Sequence, residues 1–178
     1  MPITETGLAE QVVEGSGTVV RRTKSSLSAL LAAAAEEEVL FAGASGGGYV
    51  FPEFLPAYDA VMSTGKVLEL VARSERRLSQ LVCGLPRSSR VHHELHCPWS
   101  LKGTTMRRLI EAVKGLEVDH MDGIKVYENG GWVQILPDPD EPVFHIYAEG
   151  RNDEESEELE RRYRETLESL VTEQPVEV

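Results

Sequence analysis

Cysteine is scarce in this chain: Cys83 and Cys97 are the only two among 178 residues. Neither their number nor their spacing suits a disulfide framework or a zinc knuckle, so both are expected as buried or half-buried free thiols. Positive charge is also short. Eighteen Lys and Arg face 30 Asp and Glu, for a net charge of −12, and phosphate backbones or anionic headgroups are recognised by clustered cations. Nucleic acid and membrane surfaces are therefore excluded as partners. Long hydrophobic runs are missing too. The longest apolar-leaning stretch, residues 27–35, is far below the ~20 residues that cross a bilayer, and residues 1–15 show no charged-then-apolar leader. A cytoplasmic location is the expectation. With 41% hydrophobic and 27% charged residues, the composition is that of a globular protein with one ordinary core or two small ones.

Leu8, Val12 and Val13 predict a short first helix that Gly15-Ser16-Gly17 ends, and Thr18 to Arg22 reads as a short strand. Leu27, Leu30, Leu31 and Ala34 repeat at helical spacing behind Ser25 or Ser26 as N-cap, and that helix runs out in Glu36-Glu37-Glu38. Val39-Leu40-Phe41-Ala42 reads as a buried strand, and the alternation predicts a parallel α/β layer. After Gly43-Ala44-Ser45-Gly46-Gly47-Gly48 come a strand at 49–51, a helix at 58–73 with Val61, Leu68 and Val71 inward, and a shorter helix with Leu78, Leu81 and Val82. Pro86-Arg87-Ser88-Ser89-Arg90 is the expected domain boundary, giving domains 1–85 and 86–178.

Beyond it the rhythm changes. A strand at 91–96 precedes a helix whose Met106, Leu109, Ile110 and Val113 form an amphipathic stripe. Strands at 123–127, 132–136 and 143–148 follow, the first two joined by the hairpin signal Glu128-Asn129-Gly130-Gly131. A last helix is capped by Asn152 with Glu155 three residues on, and buries Leu159, Tyr163, Leu167 and Leu170. An antiparallel sheet with two helices on one face is the economical α+β reading.

Several motifs are similar to the C-terminal region of the α-D-phosphohexomutases. Phe41-Ala42-Gly43-Ala44-Ser45-Gly46-Gly47-Gly48 before an apolar strand resembles the family's Gly-Glu-x-Ser-Gly-His sugar loop. Ala44, Gly46 and Gly48 stand where Glu, Ser and His are usual, so Gly43, Ala44, Ser45, Gly46 and Gly47 form a degenerate version. Arg22-Thr23-Lys24 resembles the Thr-Lys-Val-Gly turn, and Asp122-Gly123-Ile124-Lys125-Val126 the Asp-Gly-Val-Lys strand. Leu136-Pro137-Asp138-Pro139-Asp140-Glu141-Pro142 resembles the phosphate loop Arg-Pro-Ser-Gly-Thr-Glu-Pro, with Leu136, Asp138, Pro139 and Asp140 replacing its arginine, serine, glycine and threonine. A cation and two donors have become two anions and an imino acid, so Leu136, Asp138, Pro139, Asp140 and Glu141 are read as a degenerate phosphate loop. The likeness is nearest to the bacterial mannose-1-phosphate guanylyltransferase/phosphomannomutase subgroup, whose motifs match Phe54 to Ala60, Cys97-Pro98-Trp99-Ser100-Leu101-Lys102-Gly103 and Pro137 to Pro142.

The resemblance implies a partial α/β third mutase domain followed by an α+β fourth domain. The family's Ser-His-Asn-Pro phosphoserine loop and its Asp-Gly-Asp-x-Asp-Arg magnesium loop do not occur in these 178 residues. Phosphoryl transfer runs on a phosphorylated nucleophile and a metal that offsets developing charge. The isolated chain is thus expected to be inactive and to carry no catalytic residue and no cofactor, with magnesium entering only with the upstream loop. Its expected role is that of a structural, regulatory or weakly sugar-phosphate-binding module, with Lys24, Tyr49 and Lys125 as candidate sugar contacts and upstream mutase or nucleotidyltransferase domains of the same protein as partners. A working mutase half completed by another chain is the alternative. A plain homo-oligomerisation module is a third reading, which would show as an exposed apolar patch.

Three further constellations carry chemistry by residue type. His92, Glu94 and His96 lie on one face of a strand and are of ligand type for zinc. Three ligands in line span about 13 Å, however, and cannot converge on one ion, so a polar strand face is preferred and no metal ligand is assigned. Asp138, Asp140 and Glu141 offer hard oxygens for a cation, but a proline-shaped solvated turn accounts for them. The glycine-rich loop leads into a strand rather than a helix N-terminus, which favours a tight turn over an anion cradle.

Overall fold

A computed structural model describes residues 1–172, so the expected second domain's residues 173–178 lie outside the described part. The chain divides into two compact units, Met1–Pro86 and Arg87–Val178.

The first unit carries α1 (Leu8–Val13), α2 (Leu27–Ala34), β1 (Ala42–Gly43), β2 (Tyr49–Phe51), β3 (Leu55–Tyr58), α3 (Ala60–Ser74) and α4 (Leu78–Cys83). Ser26 caps α2 through a hydrogen bond to its hydroxyl from the Ala29 amide, and Asp59 caps α3 in the same way from Met62. The three strands pair antiparallel in the order β1-β2-β3. The expected parallel layer is therefore corrected: parallel pairing here is a single bridge between Pro2 and Thr23. Residues 18–22 form no strand. Arg22 instead gathers the N-terminal segment, donating to the carbonyls of Pro2, Glu5 and Thr6 and to the Glu10 carboxylate. Leu40 and Phe41 are exposed, so the predicted strand at 39–42 shrinks to β1. β3 covers residues 55–57, which sequence patterning left unassigned, and Tyr58, where the helix was expected to begin; that helix starts at Ala60 behind its Asp59 cap.

The unit's core is small: Leu30, Ala34, Ala42 and Val50, with Leu31, Val39 and Ala44 against them. Neither α3 nor α4 buries a residue. Val61 and Leu68, expected inward, are 84% and 65% exposed, and Leu78 and Val82 are exposed as well. Helical periodicity reports that a helix has an apolar face, not that something covers it.

The second unit carries β4 (Ser89–His96), α5 (Trp99–Ala112), β5 (Glu117–Asp119), β6 (Ile124–Glu128), β7 (Gly131–Pro137), β8 (Val143–Gly150) and α6 (Asp153–Thr172). Its five strands form an antiparallel sheet in the order β4-β8-β7-β6-β5. The β6–β7 hairpin turns on Asn129 and Gly130, both at positive φ, as a two-residue type I′ connection requires. Asn152 caps α6 by accepting from the Glu155 amide. One core joins α5 and α6 to one sheet face: Leu109 and Val113, Val126, Val133, Ile135, Phe144 and Ile146, and Leu159, Tyr163 and Leu167. Ile110 is a correction, 43% exposed at the margin of its stripe. β5 is an edge strand that patterning missed. Of the two thiols, Cys97 is buried but Cys83 is exposed. No helix among the described residues is long and apolar enough to cross a membrane.

Candidate functional site

The turn from β7 to β8 positions the phosphate-loop residues. β7 ends at Pro137 and β8 starts at Val143. Between them the backbone closes through Asp138 N–H to the Val143 carbonyl at 3.1 Å and Val143 N–H to the Glu141 carbonyl at 2.8 Å. Inside this turn the Asp138 carboxylate folds back. One oxygen accepts from the amides of Asp140 at 2.7 Å and Glu141 at 2.6 Å. The other lies 3.0 Å from His145 Nε2. These contacts hold the Asp138 carboxyl below the ordinary aspartate range, the imidazole hydrogen bond first and the backbone donors after it. Consecutive amides converging on an anion are what a phosphate loop provides. Here the loop's own side chain is that anion.

A cation reaches the same turn from α5. The Lys102 side chain is buried, stacks 4.0 Å over the Trp99 ring, and donates from Nζ to the Asp138 carbonyl at 2.6 Å and to the Glu141 carbonyl. The buried Cys97 amide donates to the Pro142 carbonyl at 2.7 Å, fixing the far side of the turn. Burial raises the Cys97 thiol above its ordinary pKa, which leaves it a poor nucleophile at neutral pH. Lys102 carries no site role in the sequence reading. Its signal was the motif Cys97-Pro98-Trp99-Ser100-Leu101-Lys102-Gly103, whose lysine has no obvious target until strand pairing brings β7 and β8 under α5. Leu136 is half-buried opposite His145, while Pro139, Asp140 and Glu141 are exposed.

The residues read as a degenerate sugar loop run from Gly43 at the end of β1 into the turn before β2. Gly47 N–H closes the turn on the Ala44 carbonyl at 3.2 Å, and Gly47 and Gly48 both have positive φ. At Gly48 a Cβ would fall 2.5 Å from the Tyr58 ring, and at Gly43 it would fall 2.6 Å from the Tyr49 ring. Glycine is thus required for shape at Gly48, where the positive φ and the Tyr58 ring coincide, whatever the loop binds. The Ser45 hydroxyl donates to the Glu5 carboxylate at 3.0 Å. Tyr49 is exposed and stacks on Phe41 with ring centroids 5.8 Å apart. Lys24 is exposed in the same unit. Lys125 belongs to the second unit, where it is buried with Nζ 3.6 Å over the Trp132 ring.

The strand face that carries His92, Glu94 and His96 does not gather those three residues together. His96 lies opposite Val143. The neighbour that joins His92 and Glu94 is His145 of β8, directly across from Glu94.

Residues 2–88 match the family described as phosphoglucomutase/phosphomannomutase, alpha/beta/alpha domain III. The phosphoglucomutase/phosphomannomutase of Thermococcus kodakarensis is 28% identical over 158 residues, 88% of this chain and 34% of that protein. The probable phosphoglucosamine mutase of Methanopyrus kandleri is 30% identical over 168 residues, 92% of this chain and 37% of its own length. A crystal structure of a phosphoglucomutase/phosphomannomutase family protein from Burkholderia thailandensis shares the fold, with a TM-score of 0.79 at 21% identity over 98% of this chain and 38% of that one. The chain spans little more than a third of each of these proteins. Residues 2–88 belong to the third domain of the phosphohexomutase superfamily, and the chain as a whole is similar to that superfamily's C-terminal region.

Proposed function

We propose that this chain is a catalytically incomplete phosphohexomutase-like module of a sugar-nucleotide biosynthesis protein of the mannose-1-phosphate guanylyltransferase/phosphomannomutase type, with a structural, regulatory or weak sugar-phosphate-binding role. The observation that carries this reading is the Asp138 carboxylate held by the Asp140 and Glu141 amides and by His145. A phosphate entering the turn would have to displace that carboxylate, and it would meet Asp140 and Glu141 without the arginine, hydroxyls and glycine amide that the family supplies. The turn also fits poorly as a magnesium site. Both Asp138 oxygens are committed to donors, so a hard cation would find only the two exposed carboxylates.

A working mutase half completed by further polypeptide is the second reading, and the exposed apolar face of α3 and α4 favours it. Val61, Leu68, Leu70, Leu78 and Val82 are all about half exposed or more, which suits a surface that another domain covers. An assay separates the two. The purified chain is expected to show no interconversion of mannose-, glucose- or glucosamine-1-phosphate, with or without magnesium and a bisphosphate activator. Turnover above a contaminant control by the chain alone would overturn the leading reading. Turnover that appears only on adding a polypeptide with the serine and magnesium loops would establish the second.

A further inference from the structure

The open edge of the second unit's sheet holds a compact set of nitrogen and oxygen ligands. His92 Nε2 lies 3.0 Å from His145 Nδ1, and His145 Nδ1 lies 3.7 Å from a Glu94 carboxylate oxygen. One ligand atom from each residue falls within 4.8 Å of the others. A tetrahedral ion with bonds near 2.0–2.1 Å keeps its ligand atoms about 3.4 Å apart, so the two sides that meet at His145 Nδ1 are near that spacing, and a side-chain rotation of the exposed His92 or Glu94 closes the third. The antiparallel register creates it. Glu94 and His145 are a directly opposed pair and His92 is two residues along the same strand face, whereas His96 is out of reach.

Two features orient the imidazoles independently of the triangle. The Tyr147 ring stacks on His92 at 4.4 Å with an 11° interplanar angle. His145 Nε2 faces the Asp138 carboxylate at 3.0 Å, which sets the Nε2–H tautomer and leaves Nδ1, the atom inside the triangle, with a lone pair. A carboxylate behind a histidine that ligates through its other nitrogen is the usual outer support of zinc sites. We propose that His92 Nε2, a Glu94 carboxylate oxygen and His145 Nδ1 form a site for a divalent transition-metal ion of the zinc class, with Asp138 as the outer carboxylate and a fourth position open to water. Two imidazoles and one carboxylate select zinc, cobalt or nickel over magnesium or calcium. The two carboxylates balance the ion's double charge. The three ligands lie on β4 and β8 outside the turn, and Asp138 alone is shared with it.

The test is titration of the full chain with Zn²⁺ by calorimetry and with Co²⁺ by visible absorption, near neutral pH, in a Cys83→Ser background that removes the exposed thiol. One ion per chain is expected, with Co²⁺ giving the intense bands of a four-coordinate centre. His92→Ala, Glu94→Gln and His145→Ala should each weaken binding roughly tenfold or more, and Asp138→Asn by about 10–100-fold. His96→Ala and His120→Ala should leave it unchanged. Nitrogen-15 imidazole spectra of the unsubstituted histidines provide a readout free of any folding defect: Zn²⁺ should move the His92 Nε2 and His145 Nδ1 resonances and leave His120 in place. Absence of those shifts, or undiminished binding by His145→Ala, would overturn the proposal.

Discussion

Asp138 and Asp140 are chemically identical and two positions apart, yet they do different things. Asp140 is exposed, whereas Asp138 turns inward to satisfy two amides and an imidazole. Sequence comparison reads both as charges that repel phosphate, and the structure adds that one of them fills the donors. Because its pKa in the folded state lies below the unfolded value, Asp138 contributes stability above the ordinary aspartate pKa, near 3.9, and that contribution disappears as pH falls through the depressed folded value. Asp138→Asn should therefore melt below the unsubstituted chain at neutral pH, and the gap should close in thermal scans at progressively lower pH below about 4. A gap that widened on acidification would contradict this. Lys102 acts on the same turn from the other side. Lys102→Met would leave two inward-facing carbonyls without their donor and should lower stability by about 1–3 kcal/mol in denaturant titration.

Among the elements, the second unit was the more legible in sequence. Its hairpin depends on Asn129 and Gly130, its last helix on the Asn152 cap, and its core on alternating strand residues, all of which are local signals. The first unit was less so. Residues 18–22 have β-type composition but spend their polar groups on a loop held by Arg22, and α3 has a strong apolar face that the described residues leave uncovered. The site divides in the same way. Loop membership could be read from the motif, but the inward turn of Asp138, the reach of Lys102 and the meeting of His92 with His145 depend on contacts 7 to 53 positions apart in the chain. Burial within one helix gives a direct check of the packing. Leu109 is fully buried and Ile110 is 43% exposed, so Leu109→Ala should cost about 2–5 kcal/mol and Ile110→Ala less than about 1 kcal/mol, measured by chemical denaturation. Equal losses would mean that α5 is rotated on the sheet.

At the scale of the whole molecule, the two units differ in how much core they own. The second buries residues from two helices and most of a five-stranded sheet, while the first has a four-residue cluster and three helices with nothing buried. Expressed separately, residues 87–172 should melt cooperatively and residues 1–86 should not. A cooperative melt with dispersed amide signals from the N-terminal piece would show that its core suffices. The central claim, that the β7–β8 turn has exchanged an external phosphate for its own carboxylate, is tested most directly by titrating mannose-1-phosphate into the full chain and into its Leu136→Arg, Asp138→Ser, Pro139→Gly, Asp140→Thr variant, read by calorimetry and amide shifts. The account predicts no binding at the β7–β8 turn by the unsubstituted chain, none there on restoring Leu136→Arg alone, and salt-sensitive binding at the turn by the combined variant. Amide shifts centred on Asp138 and Asp140 when the unsubstituted chain meets the sugar phosphate would contradict it.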